Sequence, residues 1–101
     1  MNVSTRLLAL LAMTLPSLAS ASVVIVNNDG AYEGFNDQTV VAAVGGNTAT
    51  TLGQQRLNVF QRAADILNNT FDIATTVRVG SSFDPLTCSS SFATLGQAGP
   101  A

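Results

Sequence analysis

The chain has 101 residues and a formal net charge of −2, which bounds it to one small domain at most. It contains no histidine, so these residues can supply neither histidine acid–base catalysis nor histidine metal ligands. Its 4 basic residues are all arginines and do not cluster, which argues against nucleic acid or an anionic membrane surface as a partner.

The first 21 residues have the organisation of a secretory signal peptide. Arg6 supplies a positive charge, residues 7–15 form an apolar run, and residues 19–21 are the small residues that a signal peptidase accepts. The run is too short to remain as a membrane anchor. We therefore predict a signal-peptide helix over residues 1–21, cleavage before Ser22, a secreted or periplasmic location, and no membrane association afterwards. The mature part has 101 − 21 = 80 residues.

A buried strand and a long polar segment follow the leader. Residues 23–26 form a continuous β-branched run, which is typical of a strand that is covered on both faces in a mostly parallel sheet. Asn, Asp and Gly at 28–30 predict a turn. Residues 27–50 are rich in Gly, Asn, Asp and Thr, and their one apolar stretch, 40–44, fits a short strand.

An amphipathic helix is predicted over about residues 52–68. Thr51 and Gln54 have the spacing of a capping box, with Thr51 as the N-cap. One half of the helical wheel is apolar and the other polar, apart from Arg56, whose aliphatic stem can lie along the core. The apolar half holds Leu57, Val59, Phe60, Ala63, Ala64, Ile66 and Leu67. The polar half holds Asn58, Gln61, Arg62, Asp65 and Asn68, with Arg62 and Asp65 spaced as a weak surface pair.

Alternating residues at 73–79 predict a second strand that ends at Gly80. A strand, a long excursion with a helix and another strand describe a βαβ unit with parallel strands and a right-handed crossover. The predicted fold class is therefore α/β: an incomplete βαβ unit preceded by the signal-peptide helix. Because one such unit cannot cover its own sheet, residues 22–101 are expected to be the N-terminal fragment of a larger α/β catalytic-type domain.

Two features are candidate sites. Asp29, Glu33 and Asp37 lie in one Gly- and Asn-rich loop, and carboxylates on such loops are calcium ligands. Their spacing does not match an EF-hand, and the alternative is a solvated acidic loop. Cys88 is the single cysteine, and in an oxidising compartment it indicates an intermolecular bond, a partner cysteine outside this sequence, or a free thiol that packs as a small hydrophobe.

Nearly all of the mature chain resembles the start of a family of exported proteobacterial proteins. The first shared phrase is Val-Val-Ile-Val-Asn-Asn-Asp-Gly at 23–30, and the longest of the later ones is Thr-Thr-Leu-Gly-Gln-Gln-Arg-Leu at 50–57. The remaining shared positions are 33–37, 45–47, Phe60, 63–66, 77–79, 83–86 and 95–96. That family looks like zinc metallopeptidases of the metzincin type that carry a protease-associated (PA) domain.

The resemblance implies zinc as the cofactor and a peptide as the substrate of the full-length protein. The zinc-binding His-Glu-x-x-His helix lies downstream in the family, and no position of this chain matches it, so no catalytic, cofactor or metal residue is placed here. Cys88 matches a family cysteine whose disulfide partner is also downstream. Leu67 departs from the family, in which tryptophan is common at that position.

Three functions are consistent with these features. The first is the N-terminal fragment of a secreted zinc metallopeptidase with a PA domain, shortened by incomplete sequencing or a premature stop, inactive alone, whose partner is the remainder of its own polypeptide. The second is a small exported binding or interaction module with a calcium-binding acidic loop. The third is a dimer linked through Cys88 in a structural role.

Overall fold

The computed structural model describes residues 21–101 and contains two strands and one long helix. Strand β1 spans Val23–Asn27, helix α1 spans Leu52–Thr70, and strand β2 spans Val77–Ser81. A single turn of 3-10 helix, Gly34–Asn36, lies in the segment between β1 and α1. Residues 1–20 of the predicted signal peptide lie outside this description.

The two strands pair in parallel, which confirms the α/β class and the strand–helix–strand order. The register runs from Val23 opposite Val77 to Asn27 opposite Ser81. The Val77 N–H donates to the Ser22 carbonyl and the Asn28 N–H donates to the Ser81 carbonyl. The even-numbered residues of β1 therefore direct their backbone groups toward β2, and the odd-numbered residues direct theirs away from it.

Strand β2 begins later than the alternation at 73–79 predicted. Val77 opposite Val23 is the first pair of the ladder, and residues 73–76 lie before it. Within the described residues they have no strand to pair with, so the alternating pattern alone does not make them part of the sheet. The strand also continues through Gly80 to Ser81, because Asn27 extends the ladder by one pair.

The predicted short strand at 40–44 is wrong. Its residues form only two isolated bridges, Val40 with Thr51 and Val44 with Asn47. The second bridge closes a two-residue turn at Gly45 and Gly46, whose φ angles of 57° and 82° suit the turn type that joins tight hairpins. The turn reverses the chain before a ladder can grow.

Helix α1 begins as predicted and ends two residues later than expected. The Thr51 hydroxyl accepts from the Gln54 N–H at 3.4 Å, which confirms Thr51 as the N-cap. The reciprocal half of the capping box is absent, because the Gln54 side chain donates to Asn58 instead. The Phe71 N–H donates to the Leu67 carbonyl at the other end, so the helix continues past Asn68 to Thr70.

The buried side of α1 is narrower than the predicted apolar half. Helix α1 packs against β1 and against the 3-10 turn, and its buried residues are Gly53 and Ala64. Val59 and Ile66 are 62% and 51% exposed, although both belong to the apolar half. The side of α1 that contacts β1 and the 3-10 turn is therefore a narrow stripe along the helix. Phe60 lies about two turns after Gly53, and Ala64 and Asn68 follow at intervals of about one turn.

Little apolar surface is buried in the described part of the chain. Its buried apolar side chains are those of Val23, Phe35 and Ala64. Four of the five residues of β2 are exposed, and only Ser81 is buried. Within residues 21–101, α1 packs on β1, but most of the sheet lacks the layers on both faces that normally cover a parallel sheet.

Candidate functional site

Asp29 links the ends of the two strands. It follows β1 in the turn, and its carboxylate oxygen Oδ2 accepts the Phe35 N–H at 2.6 Å. The same carboxylate accepts the Phe83 N–H, 54 residues away, at 3.0 Å and 3.1 Å to its two oxygens. A carboxylate that accepts backbone N–H groups makes charge-assisted hydrogen bonds, which are stronger than neutral ones.

The loop around Asp29 is closed by further short hydrogen bonds. Glu33 accepts the Gly30 N–H at 3.0 Å, and the Asn36 amide donates to the carbonyls of Asp29 and Gly30 at 3.0 Å and 2.8 Å. Gly34 has a φ of 53°, and a Cβ there would collide with the Asp29 carboxylate. Glycine is therefore required at position 34 by both conformation and space.

Asp37 connects the loop to the helix. Its carboxylate accepts the Thr39 N–H at 2.9 Å and lies 3.5 Å from the Arg56 guanidinium. The side chain and the backbone N–H of Thr39, and to a smaller extent the charge of Arg56, lower the pKa of Asp37, although partial burial opposes them. Asp37 is thus held ionised by its neighbours.

Arg56 and three phenylalanines form the contact between the loop, the helix and the segment after β2. The Phe35 ring meets the Phe60 ring edge-on at 4.8 Å and the Phe83 ring at 6.2 Å. The Arg56 guanidinium donates to the Gly34 carbonyl at 2.9 Å and lies 4.3 Å from the centre of the Phe83 ring. Together these four residues form the aromatic cluster: Phe35, Arg56, Phe60 and Phe83.

The three acidic residues proposed for calcium have separate partners. Asp29 accepts from Phe35 and Phe83, Glu33 from Gly30, and Asp37 from Thr39 and Arg56. Among residues 21–101, no three acidic or cysteine side chains come together as a group that could hold a metal ion. Calcium binding by this loop stays a prediction, and the contacts give each carboxylate a role within the loop.

An open groove of about 540 Å³ lies beside the end of β2. Its walls include Phe60, the residues from Val79 to Leu86, and the segment from Leu95 to Gly99. Ligands of open parallel sheets bind beyond the carboxyl ends of the strands, and the groove lies at such an end. No charged side chain other than Asp84 lines it, so it offers contact area and few groups for chemistry.

Cys88 is an exposed free thiol in the described part of the chain. It pairs with Ala93 in an isolated antiparallel bridge around Ser89–Ser91, and its sulfur lies 3.8 Å from the Ser89 carbonyl. The alternative of a buried thiol that packs as a small hydrophobe is therefore wrong. An intermolecular bond and a partner cysteine outside this sequence both stay predictions.

Asn68 has a role that the sequence did not indicate. Asn68, assigned to the solvent side, accepts the Val23 N–H at 2.7 Å and donates to the Val23 carbonyl at 3.2 Å. Its spacing of four residues from Ala64 places it on the contact side, but its polarity predicts a position facing solvent.

Arg62 and Asp65 do not form the expected pair, since Asp65 accepts from Gln61 and the ion pair of the described residues is Arg56 with Asp37.

The described residues do not fit a zinc site. They offer no histidine, one exposed cysteine, and carboxylates that nowhere come together as a group of three.

Comparisons of the chain with protein-family models, with curated proteins and with solved structures returned no match. No helix within residues 21–101 combines the length and the apolar character needed to cross a bilayer.

Proposed function

We propose that residues 22–101 are the N-terminal βαβ part of a larger exported α/β domain, and that the whole protein is a secreted zinc metallopeptidase with a PA domain. The peptidase identity rests on the family resemblance of phrases such as 23–30 and 50–57. In that family the zinc polarises a water molecule and the glutamate between the two histidines is the base. This part of the chain supplies scaffold, not chemistry.

The observation that supports a larger domain is the small number of buried apolar side chains in the described residues. Three apolar side chains are buried in the described part, while Val24, Val77 and Val79 on the sheet are 38%, 45% and 39% exposed. A domain of this size is marginal even when its core is complete. A parallel sheet requires cover on both faces, so further polypeptide that packs on β1 and β2 accounts for this exposure.

The proposal is tested on the chain recovered after export. We expect its mass to be that of a chain that begins at Ser22. We also expect the chain to bind the dye ANS, and its thermal unfolding, followed by circular dichroism, to extend over a broad temperature range. A complete domain of about 80 residues would instead unfold in one step with an enthalpy of about 50 kcal/mol near 60 °C. Such a step in a monomer would contradict the proposal.

A small exported interaction module is the second candidate, and Tyr32 favours it. Its φ is 64°, which non-glycine residues rarely adopt, and its ring is 81% exposed. Hydrogen bonds from the Gly30 N–H to Glu33 and from the Asn36 amide to the Gly30 carbonyl close the loop that carries Tyr32. Strained backbone with an exposed aromatic ring is a pattern of binding loops. One-step unfolding of the monomer would favour this candidate.

A further inference from the structure

A second groove, of about 420 Å³, lies between the Gly45–Gly46 turn and helix α1. It is lined by the turn and the two residues after it, and on the helix by Asn58, Val59 and Arg62. A Cβ at Gly45 or Gly46 would meet no atom of the described residues within 4 Å, so the groove is open on this side. These residues define the turn groove.

A chain of hydrogen bonds fixes the direction of the two carboxamides in the turn groove. The Gln55 carbonyl can only accept, and the Asn47 Nδ2 group donates to it at 2.8 Å. The Asn47 oxygen is therefore left to accept the Asn58 Nδ2 group, at 3.0 Å. The Asn58 oxygen in turn accepts from the Gln54 side chain at 2.8 Å. Both carboxamide oxygens of the groove are thus used, and one N–H of the Asn58 side chain remains for a ligand.

Arg62 supplies a positive charge to the turn groove. It follows Asn58 by four residues, so the two side chains are neighbours on one side of α1. Within residues 21–101 Arg62 forms no ion pair, and the Asp65 carboxylate accepts from Gln61 instead. None of the described acidic side chains lines the groove. The groove therefore presents a cation and a side-chain N–H donor without a carboxylate to balance them.

The backbone of the turn adds neutral groups. Its hydrogen bonds join Val44 and Asn47, and in the described part of the chain the N–H and C=O groups of Gly45 and Gly46 have no backbone partner. These groups can meet either a donor or an acceptor. The charge that the groove prefers is therefore decided by the side chains of Asn58 and Arg62.

A carboxylate suits these groups better than a phosphate does. The planar guanidinium of Arg62 offers a parallel pair of N–H donors that matches the two oxygens of a carboxylate. A phosphate carries a charge of about −1.5 to −2 at neutral pH, more than one arginine can balance. Val59, which is 62% exposed, gives the same groove an aliphatic surface.

We propose that the turn groove binds a carboxylate that carries a short aliphatic group. Two sources have this chemistry: a small free acid and the C-terminus of a peptide that ends in an aliphatic residue. The site goes beyond the scaffold role proposed for this part of the chain. It requires no residue outside 45–62.

The test is an NMR titration of the exported chain with N-acetylvaline, which has one carboxylate and one isopropyl group. Its matched control is N-acetylvalinamide, which has nearly the same shape and no charge, and sodium chloride keeps the ionic strength constant. We expect N-acetylvaline to shift the amide signals of Gly45 and Gly46 and the side-chain amide signals of Asn58. The Kd should lie between about 0.1 and 10 mM, and the neutral control should bind at least about tenfold more weakly.

Variants of Arg62 test the role of its guanidinium. Arg62→Gln should abolish the shifts, and Arg62→Lys, which keeps the charge but loses the planar pair of donors, should weaken binding about tenfold. The matched control is Arg78→Gln, which removes the same charge from an exposed position on β2 outside the groove and should leave the Kd within about twofold of the parent value. Glutamine and lysine favour a helix about as well as arginine, and circular dichroism checks that α1 is retained.

Several results would contradict a carboxylate site. Equal binding of N-acetylvaline and its amide would mean that the charge contributes nothing, and an equal loss in Arg78→Gln would mean that only the net charge matters. Tighter binding of inorganic phosphate, or no shifts up to about 100 mM N-acetylvaline, would also contradict it. Sodium isobutyrate separates the two sources: binding as tight as that of N-acetylvaline supports a small free acid, and binding about tenfold weaker supports a peptide C-terminus.

Discussion

The Asp29 carboxylate accepts the N–H of Phe83 across 54 residues of chain, and thereby joins the turn after β1 to the segment after β2. The same carboxylate accepts the Phe35 N–H. One acidic side chain thus holds the carboxyl ends of both strands and the 3-10 turn together.

Replacing Asp29 by alanine should release these two amides. Hydrogen bonds to a charged group contribute about 1.5–3 kcal/mol each, so amide exchange at Phe35 and Phe83 should become at least about tenfold faster. NMR-detected exchange measures this directly. Asp84→Ala is the matched control, since Asp84 is an exposed acid without a hydrogen bond in the described residues. Equal rates in the two variants would contradict the role of Asp29.

Phe60→Ala should loosen the helix from the loop. The Phe60 ring is half-buried and meets Phe35 edge-on at 4.8 Å, so the change should cost about 3 kcal/mol, the low end for a phenylalanine. Loss of helical circular dichroism and faster exchange at the Phe35 amide report it. Val59→Ala, at a 62% exposed site on the same helix, should cost no more than about 0.5 kcal/mol. A loss near zero for Phe60→Ala would mean that the aromatic cluster does not form.

Gly53→Ala separates packing from helix propensity. Alanine favours a helix by about 1 kcal/mol over glycine, so propensity alone predicts a gain in helicity. A Cβ at position 53, however, would collide with the backbone carbonyl of Phe35 and lie 2.6 Å from the Asp37 nitrogen. We therefore expect lower helicity and a displaced 3-10 turn, seen as shifted Phe35 and Asp37 amide signals. Gly96→Ala, which meets nothing within 4 Å, is the control and should change neither.

Acid should open the contact between Asp37 and the helix. Because Thr39 and Arg56 lower the pKa of Asp37 in the folded chain, its contribution to stability is present above the unfolded value and is lost as pH falls through the folded value. Helicity is measured from pH 6 to pH 2 in both chains, which share all other acidic residues. It should therefore fall less steeply in Asp37→Asn than in the parent. Asp72→Asn, at an exposed acid, is the comparison and should keep the parent slope. The same dependence of helicity on pH in all three chains would contradict a stabilising role for the Asp37 carboxylate.

The exposed Cys88 should react without unfolding. A thiol reagent should label the folded chain about as fast as the urea-unfolded chain, because Cys88 is already exposed in the folded chain. Non-reducing electrophoresis tests the dimer alternative in the same sample. A single monomer band excludes a structural dimer through Cys88, whereas a reducible dimer band in freshly exported protein would support it.

The parts of this fold that depend on local pattern could be predicted, and the parts that depend on pairing could not. The run at 23–26 and the cap at Thr51 are local signals, and the strand and the cap are both confirmed. The predicted cover of that strand on both faces is not found within the described residues, where Val24 is 38% exposed. The start of β2 is set by its register against β1, so alternation at 73–79 could not give it.

The side-chain roles follow the same division. The loop with Asp29, Glu33 and Asp37 was recognised as a candidate, but the partners of Asp29 are backbone N–H groups, one of them 54 residues distant. Every residue except proline has a backbone N–H, so the sequence pattern does not predict which of these groups a carboxylate binds. The polarity of Asn68 predicts a position facing solvent, although its spacing from Ala64 agrees with its contact with Val23.

The coding DNA beyond codon 101 tests the central claim most directly. The account predicts that the reading frame continues to a His-Glu-x-x-His helix and to a second cysteine that pairs with Cys88. A stop codon directly after Ala101 in the intact gene, with one-step unfolding of the exported monomer, would contradict it and leave a small exported module.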